Sequence, residues 1–320
     1  MPIPEMFVNT LLQAQRVLLV SHVSPDGDTL GAGLALRLAF LALGKETELI
    51  CQDAVPEVHA CLPGAETVKR PEEIAGAFDT ALAVDVSDRL RLGRCEDAYY
   101  ACPNRLVLDH HGTNDCFGQL NWIEANASAT GVLAQELIEL LGVPLTREMA
   151  LCLYTAISTD TGHFQFANTT GAAMRAAADM VDLGVDVAHV TAHLYREMPR
   201  AQTELLARAL GRLVFAHDGK TAYITLRRVD FDECGAKDEM TEGIINYAIQ
   251  TRGVEVAFLA SERAGGVKFS TRAKAPFDVA KLCRQFGGGG HALAAGCTMM
   301  CPIDEAAQVM LDAIAQCREK

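Results

Sequence analysis

The stretch Leu18–Gly44, LLVSHVSPDGDTLGAGLALRLAFLALG, decides the fold. An apolar run, Leu18 to Val20, enters a loop holding His22, Asp26 and Asp28, and an apolar helical pattern follows at once. A strand that feeds a helix through so short a loop is the start of a β-α-β unit. Burying an unpaired carboxylate is costly, so two aspartates at the edge of a core need partners, and something positive is expected between them.

Working outward, the apolar runs RVLLVSHV, ETELIC, DTALAVDVS and NRLVLDHH alternate with stretches of helical period. Such alternation predicts a doubly wound, mainly parallel sheet with helices on both faces. Three of the runs end in acidic or histidine residues: Asp26 and Asp28, then Asp85, then Asp109, His110 and His111. In an open parallel sheet the carboxyl ends of the strands share one edge, where ligands bind, so these side chains should converge. NWIEANASATGVLAQELIELLG and TREMALCLYTAISTDTGHFQF read as helices, the first capped by Ser128, and helices continue to about Gly184. Past a helical stretch broken at Pro199, KTAYITLR, VEVAFLASE and GVKFSTRAK are short strand-like runs of a smaller α+β domain. The expected division is 1–187, a helical linker over 188–200, and 201–320.

Composition excludes several classes. A chain of 320 residues, half of them apolar, suffices for two cores. Its net charge of −13 provides no basic field for long duplex nucleic acid, so a nucleic-acid substrate should be short. The 11 cysteines show no CxxC pair or knottin-like spacing and suit a reducing cytosol. The amino-terminal residues lack a basic region followed by an apolar run, and no segment is long and uncharged enough to span a bilayer, so a cytoplasmic protein is expected.

The spacing His-x3-Asp-x-Asp in HVSPDGD, with Asp85, His110 and Asp160 in STDTGHF, offers imidazole and carboxylate donors without thiolate. That donor set suits Mn or Mg better than structural zinc, and it exceeds the needs of one ion. A two-metal site can activate water and neutralise a phosphoryl oxygen. Each residue has a bland reading as well. A lone aspartate at a strand end is most often a cap, GGGGH is most often a flexible loop, and the alternation of Lys268, Arg272 and Lys274 reads as a solvated strand face. His163, His189 and His193 are taken as structural.

The ordered set His22-x3-Asp26-x-Asp28, Asp85, Asp109-His110-His111 and Asp160 resembles the four successive motifs of the DHH phosphoesterase family. KFSTRAK and FGGGGHALAAG resemble its DHH-associated carboxy-terminal domain, and the match is best to the compact branch of nano-RNases, oligoribonuclease and pAp phosphatase enzymes. The resemblance implies an α/β catalytic domain, a smaller α+β domain and a catalytic cleft between them. It implies one metal on His22, Asp26 and Asp85 and another on Asp28, Asp85, His110 and Asp160, with Mn expected and Mg or Co as alternatives. Asp109 would orient a ligand, His111 would face the scissile phosphate, and Arg272, His291 and the glycines Gly287 to Gly290 (Gly288, Gly289 and Gly290 most directly) would bind the substrate's terminal phosphate. The implied activity is hydrolysis of short RNA oligonucleotides and of 3′-phosphoadenosine 5′-phosphate (pAp), with no membrane partner and a homodimer as the assembly to look for. A cyclic- or linear-dinucleotide phosphodiesterase is the alternative, and a non-catalytic nucleotide-binding module stands further off.

Overall fold

The computed structural model describes residues 5–196 and 198–318. The outermost residues of the expected domains, and residue 197 of the expected linker, lie outside the described residues. The chain divides into two compact units, Met1–Arg196 and Glu197–Lys320.

In the first unit, α1 (Glu5–Gln13) precedes β1 (Arg16–Val20), α2 (Gly27–Ala42), β2 (Glu46–Ile50), β3 (Thr80–Val84), α3 (Glu96–Ala101), β4 (Asn104–Asp109) and β5 (Leu120–Ile123). The helices α4 (Thr130–Leu140), α5 (Arg147–Asp160), α6 (Gly171–Asp182) and α7 (Val187–Thr191) follow, and a π-helical turn covers Ala192–Arg196. The strands pair in parallel in the order β2-β1-β3-β4-β5. Alternate strand residues serve two cores. Val17, Leu19, Leu82 and Leu106 pack with α2, α4 and α5, whereas Leu18, Ala81, Ala83 and Val107 pack with Leu92, Cys95 and Tyr99 on the other face. The sheet is therefore covered on both sides, which explains why its strands read as continuous apolar runs.

Two local expectations need correction. Leu120–Ile123, which runs into a segment read as helical from Asn121, forms β5 and pairs with β4. Ser128 does not cap α4. Its N-cap is Ala129, and the Ser128 hydroxyl is turned to Asn168 O at 2.6 Å.

In the second unit, α8 (Arg200–Gly211), β6 (Val214–Ala216), β7 (Thr221–Leu226), α9 (Arg228–Cys234), α10 (Ile244–Gln250), β8 (Val256–Arg263) and β9 (Gly266–Ala273) lead to α11 (Val279–Arg284), β10 (Gly289–His291), β11 (Ala294–Met299) and α12 (Ile303–Arg318). The sheet order is β10-β11-β9-β8-β7-β6, antiparallel except for β7 with β8. One face packs on α11 and α12 through Phe258, Phe269 and Ile314. The other packs on α8, α9 and α10 through Ile224, Leu259 and Phe231.

Candidate metal centre and phosphate-binding face

The carboxyl ends of β1, β3 and β4 bring His22, Asp85 and the Asp109-His110-His111 triplet to one edge of the first sheet. Asp26 is the N-cap of α2, and its Oδ1 accepts from the N–H groups of Asp28 and Thr29 at 3.1 and 3.2 Å. Asp28, in the first turn, reaches across to α4. Its Oδ2 accepts from Thr130 N–H at 2.7 Å and its Oδ1 from Gly131 N–H at 2.8 Å. Those amides are among the orphan donors every helix start exposes, so a carboxylate from another helix performs the cap that Ala129 cannot. The axes of α2 and α5 can come this close because Gly31 carries no Cβ. One there would stand 2.4 Å from Cys152 O.

Asp85 follows β3 with φ +60°, a left-handed conformation that aspartate tolerates better than most residues. Its Oδ1 accepts from the Thr130 hydroxyl at 2.8 Å, lies 3.7 Å from His110 Nε2 and 3.6 Å from His111 Nδ1, while Oδ2 lies 3.6 Å from His22 Nε2. His22 Nε2 is also 3.6 Å from Asp26 Oδ1. His110 Nε2 faces Asp28 and Asp160 at 3.8 and 3.5 Å. Two donor groups result: His22, Asp26 and Asp85 on one side, and Asp28, His110 and Asp160 on the other, each with ligand atoms within 4.8 Å of one another. A third grouping, Asp85 with His110 and His111, overlaps both.

The electrostatics are those of a site short of positive charge. Burial, reinforced by the charges of Asp85, Asp160 and Asp26, pushes the Asp28 carboxyl well above the ordinary range. Burial likewise lifts Asp160 to about 6, with Asp85 and Asp26 adding to it and the histidines His110 and His111 opposing it. Burial alone would lower His22, but Asp26 and Asp85 outweigh it and raise the imidazole to about 9. His110 gives the sharpest test of fit. Its Nδ1 lies 3.2 Å from Ala127 O and so must donate there, which leaves Nε2 buried among three carboxylates without a hydrogen bond. A cation satisfies that nitrogen and relieves the carboxylate repulsion together. The residues present fit divalent metal ions with oxygen and imidazole ligands.

Asp109 is fully buried behind this group. Its Oδ1 accepts from His111 Nδ1 at 2.7 Å and from His110 N–H at 2.9 Å, and its Oδ2 accepts from Asn114 Nδ2 at 2.6 Å. Burial raises the Asp109 carboxyl, but the bonds from His111 and Asn114 prevail and hold it below its usual value. The same bond raises His111 against burial, and with Nδ1 engaged its Nε2 is left for solvent on a side chain 30% exposed. Sequence reasoning missed Thr130, Gly131 and Asn114. The ATG at the start of an apolar helix is the trace of the first two, and Asn114 left none.

In the second unit Arg272 pairs with Ala294 across β9 and β11, and Ala294 pairs with His291 across β11 and β10. Residues directly opposite on neighbouring strands project to one face, so Arg272 and His291 share a face two strands apart, roughly 10 Å between backbones. Ser270 and Lys268 alternate with Arg272 on that face, while Lys274 lies beyond the strand. The glycines divide by role. A Cβ at Gly288 would stand 2.1 Å from Gly296 O, and one at Gly290 would stand 2.6 Å from Ala294 O, so both are needed for the approach to β11. Gly289 has open space where a Cβ would be. His163, left as structural, lies at φ +56° with Nδ1 3.2 Å from the Ser158 hydroxyl.

Comparison with known proteins places the chain among relatives by sequence and by fold. Residues 16–157 match the family model described as DHH family, N-terminal domain, and residues 218–320 match the DHHA1 domain. The chain is 32% identical to the bifunctional oligoribonuclease and PAP phosphatase NrnA of Thermus thermophilus, over 94% of this chain and 89% of that protein. It is 23% identical to the Bacillus subtilis protein of the same name, over 98% of each. The fold is that of an exopolyphosphatase-related protein from Bacteroides fragilis, with a TM-score of 0.92, 24% identity, and coverage of 98% of this chain and 95% of that one.

Proposed function

The chain belongs to the DHH family of phosphoesterases, and on that premise we propose that it hydrolyses short RNA oligonucleotides to mononucleotides and pAp to AMP. The observation that carries this reading is the pair of donor groups, His22-Asp26-Asp85 and Asp28-His110-Asp160, drawn together around one shared carboxylate.

The site's residues divide the work. His22, Asp26 and Asp85 would hold one divalent ion, and Asp28, Asp85, His110 and Asp160 the other. Such ions supply charge neutralisation at the scissile phosphate and acidify a nucleophilic water. Ala127 O accepts from His110 Nδ1 and turns that ring's Nε2 inward, while His22 Nδ1 lies 2.7 Å from Arg91 Nη2 and 2.8 Å from Val23 O. Asp109 fixes the ring of His111, whose Nε2 carries the proton delivered to the leaving ribose oxygen. Arg272, His291 and Gly289 bind the substrate's terminal phosphate, with Gly288 and Gly290 shaping the strand that presents them.

Manganese is the metal we assign, because the donors are oxygen and imidazole alone. A reducing, cytoplasmic setting accords with the 11 free cysteines. No helix among the described residues is long and apolar enough to cross a membrane, and the net charge of −13 disfavours long duplex nucleic acid as a partner. A homodimer is the assembly that light scattering should seek.

The test is a rate comparison with Mn on pAp, a labelled RNA 2-mer, a 24-mer and a cyclic dinucleotide. Fast turnover of pAp and the 2-mer supports the reading. A cyclic dinucleotide outpacing both would replace it with a cyclic-dinucleotide phosphodiesterase.

A further inference from the structure

Resting on the activity proposed above, we propose that Phe166 is a stacking platform for a nucleobase of the substrate, presented by a strained turn that follows Asp160 in the chain. Past the end of α5 the chain passes through Gly162, His163 and Phe164 with φ values of +56°, +56° and +62°. Two of these three are not glycine, and such strain persists only where the surroundings over-determine it. Here they do. His163 N–H donates to Ser158 O at 2.7 Å, Phe164 N–H to the Thr161 hydroxyl at 3.1 Å, and Gln165 and Phe166 N–H both to Thr161 O at 3.0 Å. Asn168 Nδ2 pins the far side of the turn to Asp160 O at 3.0 Å.

The turn folds the Phe166 ring back over Gly162, where a Cβ would lie 2.4 Å from the ring's distal carbons. One side of the ring thus lies against backbone, yet the residue is 60% exposed. Its neighbour Phe164 does the ordinary thing and packs against Tyr154, with ring centroids 6.0 Å apart. A single exposed aromatic normally needs no explanation. This one differs because a strained, multiply bonded turn fixes it in the open, a few residues from a carboxylate of the metal-binding group. An enzyme that degrades RNA of any sequence needs base contacts that do not discriminate, and every base offers a π-face to an aromatic ring. A preordered ring also loses little conformational entropy on binding.

The experiment compares wild type, Phe166→Ala and Phe166→Trp on an RNA 2-mer and on an abasic ribose 2-mer with the same phosphodiester. Phe166→Ala should raise KM for the RNA 2-mer roughly 10- to 100-fold and leave kcat/KM on the abasic 2-mer within about twofold, while Phe166→Trp should stay near wild type. A second readout needs no turnover. The one native tryptophan, Trp122, is buried, so the Phe166→Trp variant gains an exposed fluorophore that AMP should quench and ribose 5-phosphate should not. Equal losses on both 2-mers, no loss on RNA, or equal quenching by both ligands overturns the assignment. Wild type that cleaves neither 2-mer sinks the activity proposed above instead, and the quenching then decides the stacking role by itself.

Discussion

Thr130 ties two carboxylates of the candidate metal centre together: its hydroxyl donates to Asp85 Oδ1 at 2.8 Å, and its backbone N–H donates to Asp28 Oδ2 at 2.7 Å. The hydroxyl bond fixes the carboxylate shared by both donor groups from behind. Thr130→Val preserves shape and the backbone bond and deletes only this contact. Metal affinity or activity should fall about 10- to 100-fold with the fold retained. Isothermal titration with Mn and far-ultraviolet dichroism check both halves, and unchanged affinity would remove Thr130 from the account.

Asp109 plays a comparable part behind His111. Asp109→Asn keeps the volume but sets an amide group against donors from His111, His110 and Asn114. Activity should drop by roughly 10–100-fold, less than on loss of a direct metal ligand. A deficit as deep as that of Asp85→Ala, unrelieved by raised Mn, would make Asp109 a direct participant in the chemistry.

Ligand binding should also be visible as stability. Four carboxylates crowd His110 and His22, and burial with mutual repulsion already lifts Asp28 and Asp160. A divalent ion binds the folded chain and not the unfolded one, contributing about 2.7 kcal/mol at a hundredfold excess over its dissociation constant. Chelator-treated protein should therefore gain several degrees in Tm when Mn is added. Asp28→Ala, which also strips the cap from α4, should lower Tm even under chelator. A Tm indifferent to Mn would count against the metal-binding site.

The strand ends were readable because one rule, that parallel strands deliver their carboxyl ends to a common edge, converts three separated motifs into neighbours. His22, Asp85 and His110 meet on that account. Thr130 was not readable, because its partner Asp28 lies 102 residues away and threonine before a helix has many simpler uses. The Ser128 cap failed for the same cause: the α4 amides are satisfied from another helix, which local pattern cannot reveal. In the second unit β10 and β11 were hidden by composition. Gly289–His291 and Ala294–Met299 carry almost none of the β-branched residues that mark strands, and they persist because Gly288 and Gly290 allow the chains to pack closely.

Substrate length tests the proposed terminal-phosphate role of Arg272 and His291. If these side chains hold the terminal phosphate, a strand longer than a few nucleotides gains little, since the chain's net charge of −13 repels further phosphates. RNA of 2 to 5 nucleotides should be cleaved fast and a 24-mer slowly. Arg272→Ala should act mainly through KM on short substrates, because the lost contact is remote from the reacting bond, though remote binding energy can also serve the transition state. Equal efficiency on 2-mers and 24-mers, or a variant indistinguishable from wild type on both, would point to an open-groove nuclease.

Asp85 is the residue that would serve both metal ions in the proposed site, and paramagnetic resonance of the Mn-loaded protein tests this directly. Asp85→Asn is the informative variant, because asparagine also accepts the left-handed backbone at φ +60° and the fold should survive. Wild type is predicted to bind two Mn per chain with an exchange-coupled spectrum, and Asp85→Asn to lose the coupling together with orders of magnitude in turnover. A single bound Mn, two uncoupled ions in wild type, or an Asp85→Asn variant with near-normal turnover would contradict it.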